Sequence, residues 1–483
     1  MRSRSGWRRA RKIALWIFIP LVLIASVLGG VYYVGAQKFN PAPPAKNYAK
    51  PATLLKAQRQ DIDYFRKLMA LDRSYSEASR QAANQLLDRL DGMYSALPRN
   101  EFRAALMRAT ALADNSHTSL YSAQHPNGRS RLLPVRVTQF ADGIYVMRAP
   151  KEQGDILGAR LIAVAGTPVD AVLHKVEQYR GGTLANRRDY AAVALTATDI
   201  LNGIGILPSP ERATWTLRTK AGEIVPRSFT AYQPAYDEGA PELSRWLSPE
   251  PAKRSEHGWL AARPDSPQIP LAFQEGDQLF RRTWIGKSCI LFLQLRANQG
   301  DGIGAFLDAS EAEMKGRPAC AIIFDNRFNG GGDYTNTAGF AGRLSSHLRP
   351  NGHIYMLTGV ETFSAGITTT VFVKQATAPA QFTLLGEPVG DRLIFWSEGG
   401  SGCLPNAPFC FHYATGMHDY LHGCTEWNNC YWINRIYPAR TSSLTPDETI
   451  PMTFADWKAG RDPVFERALA LAKAQTTVVT QTP

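Results

Sequence analysis

A mixed α/β, multidomain protein is predicted by three features of the sequence. Near-continuous apolar runs alternate with helical patterns between Cys289 and Gly386, which points to a mostly parallel sheet covered by helices. Apolar residues recur at three- and four-residue spacing between Ala52 and Leu112, which predicts a small helical bundle. Between these regions lie short β-branched segments separated by turn residues, the pattern of a β-rich unit. At 483 residues the chain exceeds what one hydrophobic core usually serves. A composition of 44% hydrophobic and 20% charged residues excludes disorder over most of the length.

The elements follow in order from a basic tail, residues 1–12. Half of the formal charge of +12 comes from Arg2, Arg4, Arg8, Arg9, Arg11 and Lys12. Beyond the tail no basic run or basic face interleaved with aromatics occurs, so nucleic-acid binding finds no support. Residues 13–36 carry no charge and are numerous enough, at ~1.5 Å per residue, to cross a ~30 Å hydrocarbon core. Trp16 near one end and Tyr32 and Tyr33 near the other suit the two interfaces, and the preceding cations keep the N-terminus cytoplasmic. A single-pass inner-membrane anchor with a periplasmic body is therefore expected. A cleaved signal peptide ending at Val34-Gly35-Ala36 is the alternative, although the run exceeds the usual ~7–15-residue apolar core. Either way the body is exported. A Pro-rich spacer at 37–51 holds it off the membrane.

The helical region, 52–128, ends in the polar cluster Asp114-Asn115-Ser116-His117-Thr118. Strands are expected within 131–140, 143–148 and 157–164, a helix over 168–179, and a hairpin within 213–231. These make up a β-rich unit at 129–235, joined by a Pro/Glu/Ser-rich connector at 236–270 to a final unit at 271–475. That unit carries strands at 289–295, 319–325, 353–357 and 381–386, with helices between them.

All six cysteines lie in the second half. Their even number in an exported chain suits disulfides Cys403–Cys410 and Cys424–Cys430, while Cys289 and Cys320 are either a third bridge or small buried residues. Zinc binding with His412, His418 and His422 is the rival, but the C-x6-C and C-x5-C spacings are wider than the usual knuckle.

In a parallel sheet, chemistry gathers where strands end and helices begin. Gly330-Gly331-Gly332 follows one strand, and successive glycines let backbone N–H groups approach a substrate as an oxyanion hole, or simply form a tight turn. Thr362-Phe363-Ser364-Ala365-Gly366 follows the next strand. There Ser364 is either a nucleophile helped by the helix dipole or an ordinary N-cap. A serine nucleophile needs a base, and His117, His347, His353 and the histidines near Cys424 are the candidates.

The order Ser116-His117-Thr118, Asp325-Asn326-Arg327-Phe328-Asn329-Gly330-Gly331-Gly332, Thr362-Phe363-Ser364-Ala365-Gly366, Gly386-Glu387-Pro388-Val389-Gly390 resembles the C-terminal processing (tail-specific) peptidases and the related tricorn core. The resemblance covers about residues 50–475 and implies a PDZ-like identity for 129–235, though no PDZ carboxylate-binding loop is present. Processing peptidases use a Ser–Lys dyad whose lysine follows Gly-Glu-x-x-Gly. Here that place reads Gly390-Asp391-Arg392, and the nearest downstream lysine is Lys374. Tricorn-like members use a histidine from a Ser-His-Thr segment, which Ser116-His117-Thr118 matches. The resemblance thus implies a serine endopeptidase with Ser364 as nucleophile and His117 as general base flanked by Ser116. The tricorn acid lies in a C-terminal Glu-Asn-x-Gly segment absent here, so Glu398 in Ser397-Glu398-Gly399-Gly400 stands in as the orienting acid, or is a solvated loop carboxylate. Gly331, Gly332 and Ala365 would form the oxyanion and substrate-binding backbone. It implies polypeptide substrates and neither metal nor organic cofactor. A non-catalytic binding protein, as in the similar retinoid-binding repeats, and a hydrolase of non-peptide esters or amides are the alternatives.

Overall fold

The computed structural model describes residues 37–122, 129–234, 244–250 and 258–481, with isolated positions between 18 and 35. The expected basic tail lies wholly outside the described residues and the expected anchor almost wholly so; 236–243 and 251–257 of the connector lie outside them too. Among the described residues no helix is long and apolar enough to cross a membrane.

Three helices come first, α1 (Leu54–Leu71), α2 (Glu77–Asp91) and α3 (Arg99–Ala111). Thr53 and Ser76 start the first two by accepting from the N–H groups of Lys56 and Ser79, which would otherwise lack partners. Strand β1 (Ser119–Ser122) follows directly.

The second unit is an antiparallel sheet with helices against it. Its strands are β2 (Arg136–Phe140), β3 (Gly143–Pro150), β4 (Arg160–Val164), β5 (Thr167–Pro168), β6 (Arg212–Arg218), β7 (Ile224–Thr230) and β8 (Trp259–Ala261). The order is β2-β3-β4-β6-β7, with β5 beside β4 and β8 beside β3. Helix α4 (Val169–Glu177) forms as expected; α5 (Leu184–Ala194) and α6 (Thr198–Gly203) were not anticipated.

The third unit positions the site. Strands β9 (Phe280–Trp284), β10 (Ile290–Leu295), β11 (Ala319–Asp325), β12 (Leu348–Thr358) and β13 (Phe382–Gly386) alternate with helices α7 (Ile303–Gly316), α8 (Thr335–Arg343) and α9 (Ala365–Ala376). Four further strands follow, β14 (Ile394–Ser397), β15 (Gly400–Cys403), β16 (Phe409–Tyr413) and β17 (Gly416–Asp419), then β18 (Glu448–Thr449) and helices α10 (Phe454–Lys458) and α11 (Pro463–Gln481). The central order is β18-β13-β12-β11-β10-β9, parallel except that β9 runs antiparallel to β10. Every residue of β10 is buried because helices cover both faces. Leu291 and Leu293 face one core with Phe324 and Val371, while Ile290 and Phe292 face another with Ile323 and Ala468.

The C-terminal hairpin β15–β16 pairs through β16 with β1, and Phe409, Phe411 and Tyr413 complete the core of the three N-terminal helices. The loop that carries His117 is therefore pinned to the far end of the chain. Three disulfides close, Cys289–Cys320, Cys403–Cys410 and Cys424–Cys430. They include both expected pairs, and the two apolar cysteines form the third. With no cysteine free, the thiolates that a zinc site would use are consumed.

Candidate active site

Ser364 sits at the turn from β12 into α9 with φ 52° and ψ −123°. Non-glycine residues adopt that backbone only when their surroundings force it. Thr362 Oγ1 donates to the Asn326 carbonyl at 2.7 Å and accepts the Gly359 N–H at 3.1 Å. The Phe363 N–H donates to the Asn329 carbonyl at 3.0 Å. These bonds tie the serine turn to the loop after β11.

That loop is itself over-determined. Arg327 is buried and bridges Asp325 and Asp462 at 2.7–2.9 Å, which anchors the segment before α11. Asn326 Nδ2 donates to the Gly366 carbonyl at 2.8 Å and to Thr370 Oγ1 at 2.9 Å, fixing the first turn of α9. A Cβ on Gly331, which has φ +110°, would stand 2.7 Å from the Ser364 Cβ, so only glycine fits beside Ser364.

The expected oxyanion donors divide. The Gly331 N–H is engaged by Asn329 Oδ1 at 3.0 Å. Those of Gly332 and Ala365 donate to no described residue, and the latter opens α9, where the helix dipole favours negative charge.

His117 stacks on Phe363, the neighbour of Ser364, with ring centroids 4.5 Å apart, and on Phe395 at 5.3 Å. Both its ring nitrogens are buried without a hydrogen-bond partner. Burial holds its pKa well below the ordinary 6.5, so the ring is neutral at pH 7, as a general base must be. Its Nδ1 lies 3.7 Å from Asp391 Oδ2, an atom likewise without a partner. Burial pushes the Asp391 carboxyl up to about 6, against the Arg392 N–H and guanidinium, which hold it down. Ser116 Oγ is buried beside the same loop and makes no hydrogen bond.

Glu398 is not placed against His117. Its Oε1 lies 3.3 Å from His418 Nε2 and accepts from Ser397 Oγ at 3.3 Å. His418 also shares hydrogen bonds with Ser397 Oγ at 2.9 Å and Tyr420 Oη at 3.0 Å, so both of its nitrogens are committed. His353 is engaged with Thr383 Oγ1, and Lys374 Nζ donates to the Ser443 carbonyl from the last turn of α9. Asp391 is thus the carboxylate that the structure brings to His117. In the sequence it registers only as the residue standing where a lysine is missing.

A second group of positioning residues also escapes the sequence reading. Between α4 and α5, Arg180 donates to the Ser116 carbonyl at 2.7 Å and Thr183 Oγ1 to the Gly390 carbonyl at 3.1 Å. Gly181 and Gly182 press on Asn115 and Ser116 so closely that a Cβ would lie 2.7 Å from the Asn115 nitrogen and 1.9 Å from Ser116 Oγ. The glycine pair was the available signal. Among the described residues no group of three or more His, Cys, Asp or Glu side chains is placed to hold a metal ion.

Solved structures share this fold. Mature CPAF in complex with lactacystin matches with a TM-score of 0.53 over 89% of this chain and 100% of its own, at 13% identity. Mature CPAF alone matches at 0.52 over 87% and 97%, at 14% identity. The photosystem II D1 C-terminal processing protease is a more distant neighbour, at 0.36 over 82% and 93% with 10% identity. No protein-family model matches the sequence, and neither does any curated protein.

Proposed function

We propose that the chain is a serine peptidase cutting polypeptides through an acyl-enzyme on Ser364. Ser364 Oγ attacks the peptide carbonyl carbon while His117 takes its proton, and the N–H groups of Ala365 and Gly332 face the developing oxyanion. The C–N bond then breaks, and His117 returns the proton to the departing amine. Water, deprotonated by the same ring, hydrolyses the ester and restores Ser364. Asp391 takes the orienting role that the sequence assigned to Glu398. Its carboxylate is the one beside His117 Nδ1, and such bonds are often long until substrate is bound.

One observation carries the reading: Ser364 is held in a strained elbow at the start of α9, and a buried neutral histidine with neither ring nitrogen hydrogen-bonded stacks on the adjacent Phe363. A fluorophosphonate should label the wild-type chain at Ser364 and spare Ser364→Ala. Equal labelling of both proteins would refute it.

Residues 13–36 are proposed to hold the body on the periplasmic face of the inner membrane. The uncharged run behind a basic tail and the three disulfides support this.

A further inference from the structure

Ser364 opens into a pocket of about 330 Å³, room for one long side chain rather than for a large ligand. The rings of Tyr334, Phe395, Tyr431 and His418 line it, the last held against Glu398 Oε1, together with the carboxylates of Asp333 and Glu398. No lysine or arginine does. Asp333 Oδ1 accepts from the Thr335 N–H and Oγ1 at 2.9 and 2.7 Å, and Glu398 uses Oε1 as described above. The second oxygen of each carboxylate is committed to no described residue.

We infer that this pocket receives the cationic side chain of a lysine or arginine flanking the scissile bond, with Glu398 and Asp333 as counter-charges and the aromatic rings as walls. This deepens the function proposed above and rests on Ser364 being the nucleophile. An apolar side chain filling the pocket would strip water from Glu398 and Asp333 and return no hydrogen bond, which costs binding. A guanidinium gives charge-assisted bonds to the free oxygens and lies favourably over an aromatic face. The same groups meet the side chain in the transition state, so the preference belongs in kcat/KM. Glu398 thereby acts on the substrate rather than on His117.

The test uses the full chain purified in detergent and peptides identical except at the two residues flanking the cleaved bond, which carry arginine, lysine, citrulline or leucine. Citrulline keeps the shape of arginine and removes its charge. At one of the two positions arginine should exceed citrulline in kcat/KM by about tenfold or more, and Glu398→Gln should bring that ratio to within about threefold. Equal rates for arginine and citrulline at both positions in the wild type would overturn the inference and leave the nucleophile assignment standing. So would a Glu398→Gln protein slowed by one common factor on every peptide, because that result moves Glu398 into the chemistry. A chain that cuts none of the peptides and resists fluorophosphonate at Ser364 would overturn the peptidase reading itself.

Discussion

Ser364 and His117 contribute different things, and single substitutions separate them. Alanine keeps the small turn at 364 and removes only the oxygen, so Ser364→Ala should lose turnover while its thermal midpoint stays within a few degrees of wild type. His117→Ala should cut kcat by about 10²–10⁴-fold. Lys374→Ala should leave it nearly unchanged, since Lys374 Nζ is bonded to the Ser443 carbonyl and not near the nucleophile. A dead Lys374→Ala protein beside an active His117→Ala protein would make this a serine–lysine enzyme.

Asp391 adds a pH dependence whose sign follows from burial. Its folded pKa is about 6 against an ordinary 3.8, so the ionised form is disfavoured in the fold. Whatever stability the protonated carboxyl contributes is complete below pH 3.8 and lost as pH rises through 6, which leaves a cost to folding at neutral pH of roughly 3 kcal/mol at most. His117 has the opposite linkage. Its folded pKa is depressed, so stability falls as pH drops below the ordinary 6.5 and the unfolded ring takes up a proton. Asp391→Asn should therefore melt higher than wild type at pH 8 and yet turn over more slowly. Wild-type kcat should decline as pH falls through about 6, the range in which Asp391 loses its charge. An Asp391→Asn protein with full activity and an unchanged pH profile would remove Asp391 from the mechanism.

At the scale of elements, the histidine loop is held in place by a neighbour that never touches substrate. Gly182 has φ +99° and no room for a methyl group beside Ser116 Oγ, so Gly182→Ala must displace the loop that carries His117. Gly166, in the turn between β4 and β5, has φ +79° and open space around it. Gly166→Ala should cost about 1 kcal/mol of stability with activity intact, whereas Gly182→Ala should also lower kcat by tenfold or more. Comparable losses of activity in the two variants would mean that general destabilisation, not loop placement, is what Gly182→Ala does.

The same elements show what the chain discloses before it folds. Strands β10 to β13 were legible because helices cover both faces, which leaves runs such as Ile290–Leu295 wholly apolar. Strand β9, Phe-Arg-Arg-Thr-Trp, was not, because it is an antiparallel edge whose arginines pair with Glu275 and Glu313 instead of making an apolar run. The Gly/Asn/Cys-rich stretch that becomes β14 to β17 reads locally as loop. Its order comes from Cys403–Cys410 and from pairing with β1, nearly three hundred residues earlier in the chain. Ser364, His117 and the glycine loop stood out as candidates because of their residue types and their order along the chain. Asp391 was hidden because its role depends on a through-space meeting with His117 that no local pattern encodes.

For the whole molecule, export and folding are proposed to be one event. Cys289–Cys320 joins the adjacent strands β10 and β11 of the central sheet, Cys403–Cys410 ties the hairpin that completes the helical core, and Cys424–Cys430 packs with Met417 beside β14 and β17. In the chain-entropy model, loops separated by 31, 7 and 6 residues contribute roughly 2–4 kcal/mol each, the longest most. A body held in the reducing cytosol would lose that stability from both the central sheet and the hairpin against which the His117 loop is pinned. The basic tail before residues 13–36 should keep the N-terminus inside and the body outside, in a Gram-negative cell the periplasm. Thiol labelling of denatured, unreduced protein from such cells should find all six cysteines blocked, and protease added to spheroplasts should digest the body. Reduction before purification should lower both the melting temperature and the fluorophosphonate labelling of Ser364, because Cys403–Cys410 lies in the hairpin that pairs with β1, directly after the His117 loop. Six free thiols together with a protease-protected body would put Ser364 in the cytosol and overturn the proposed topology.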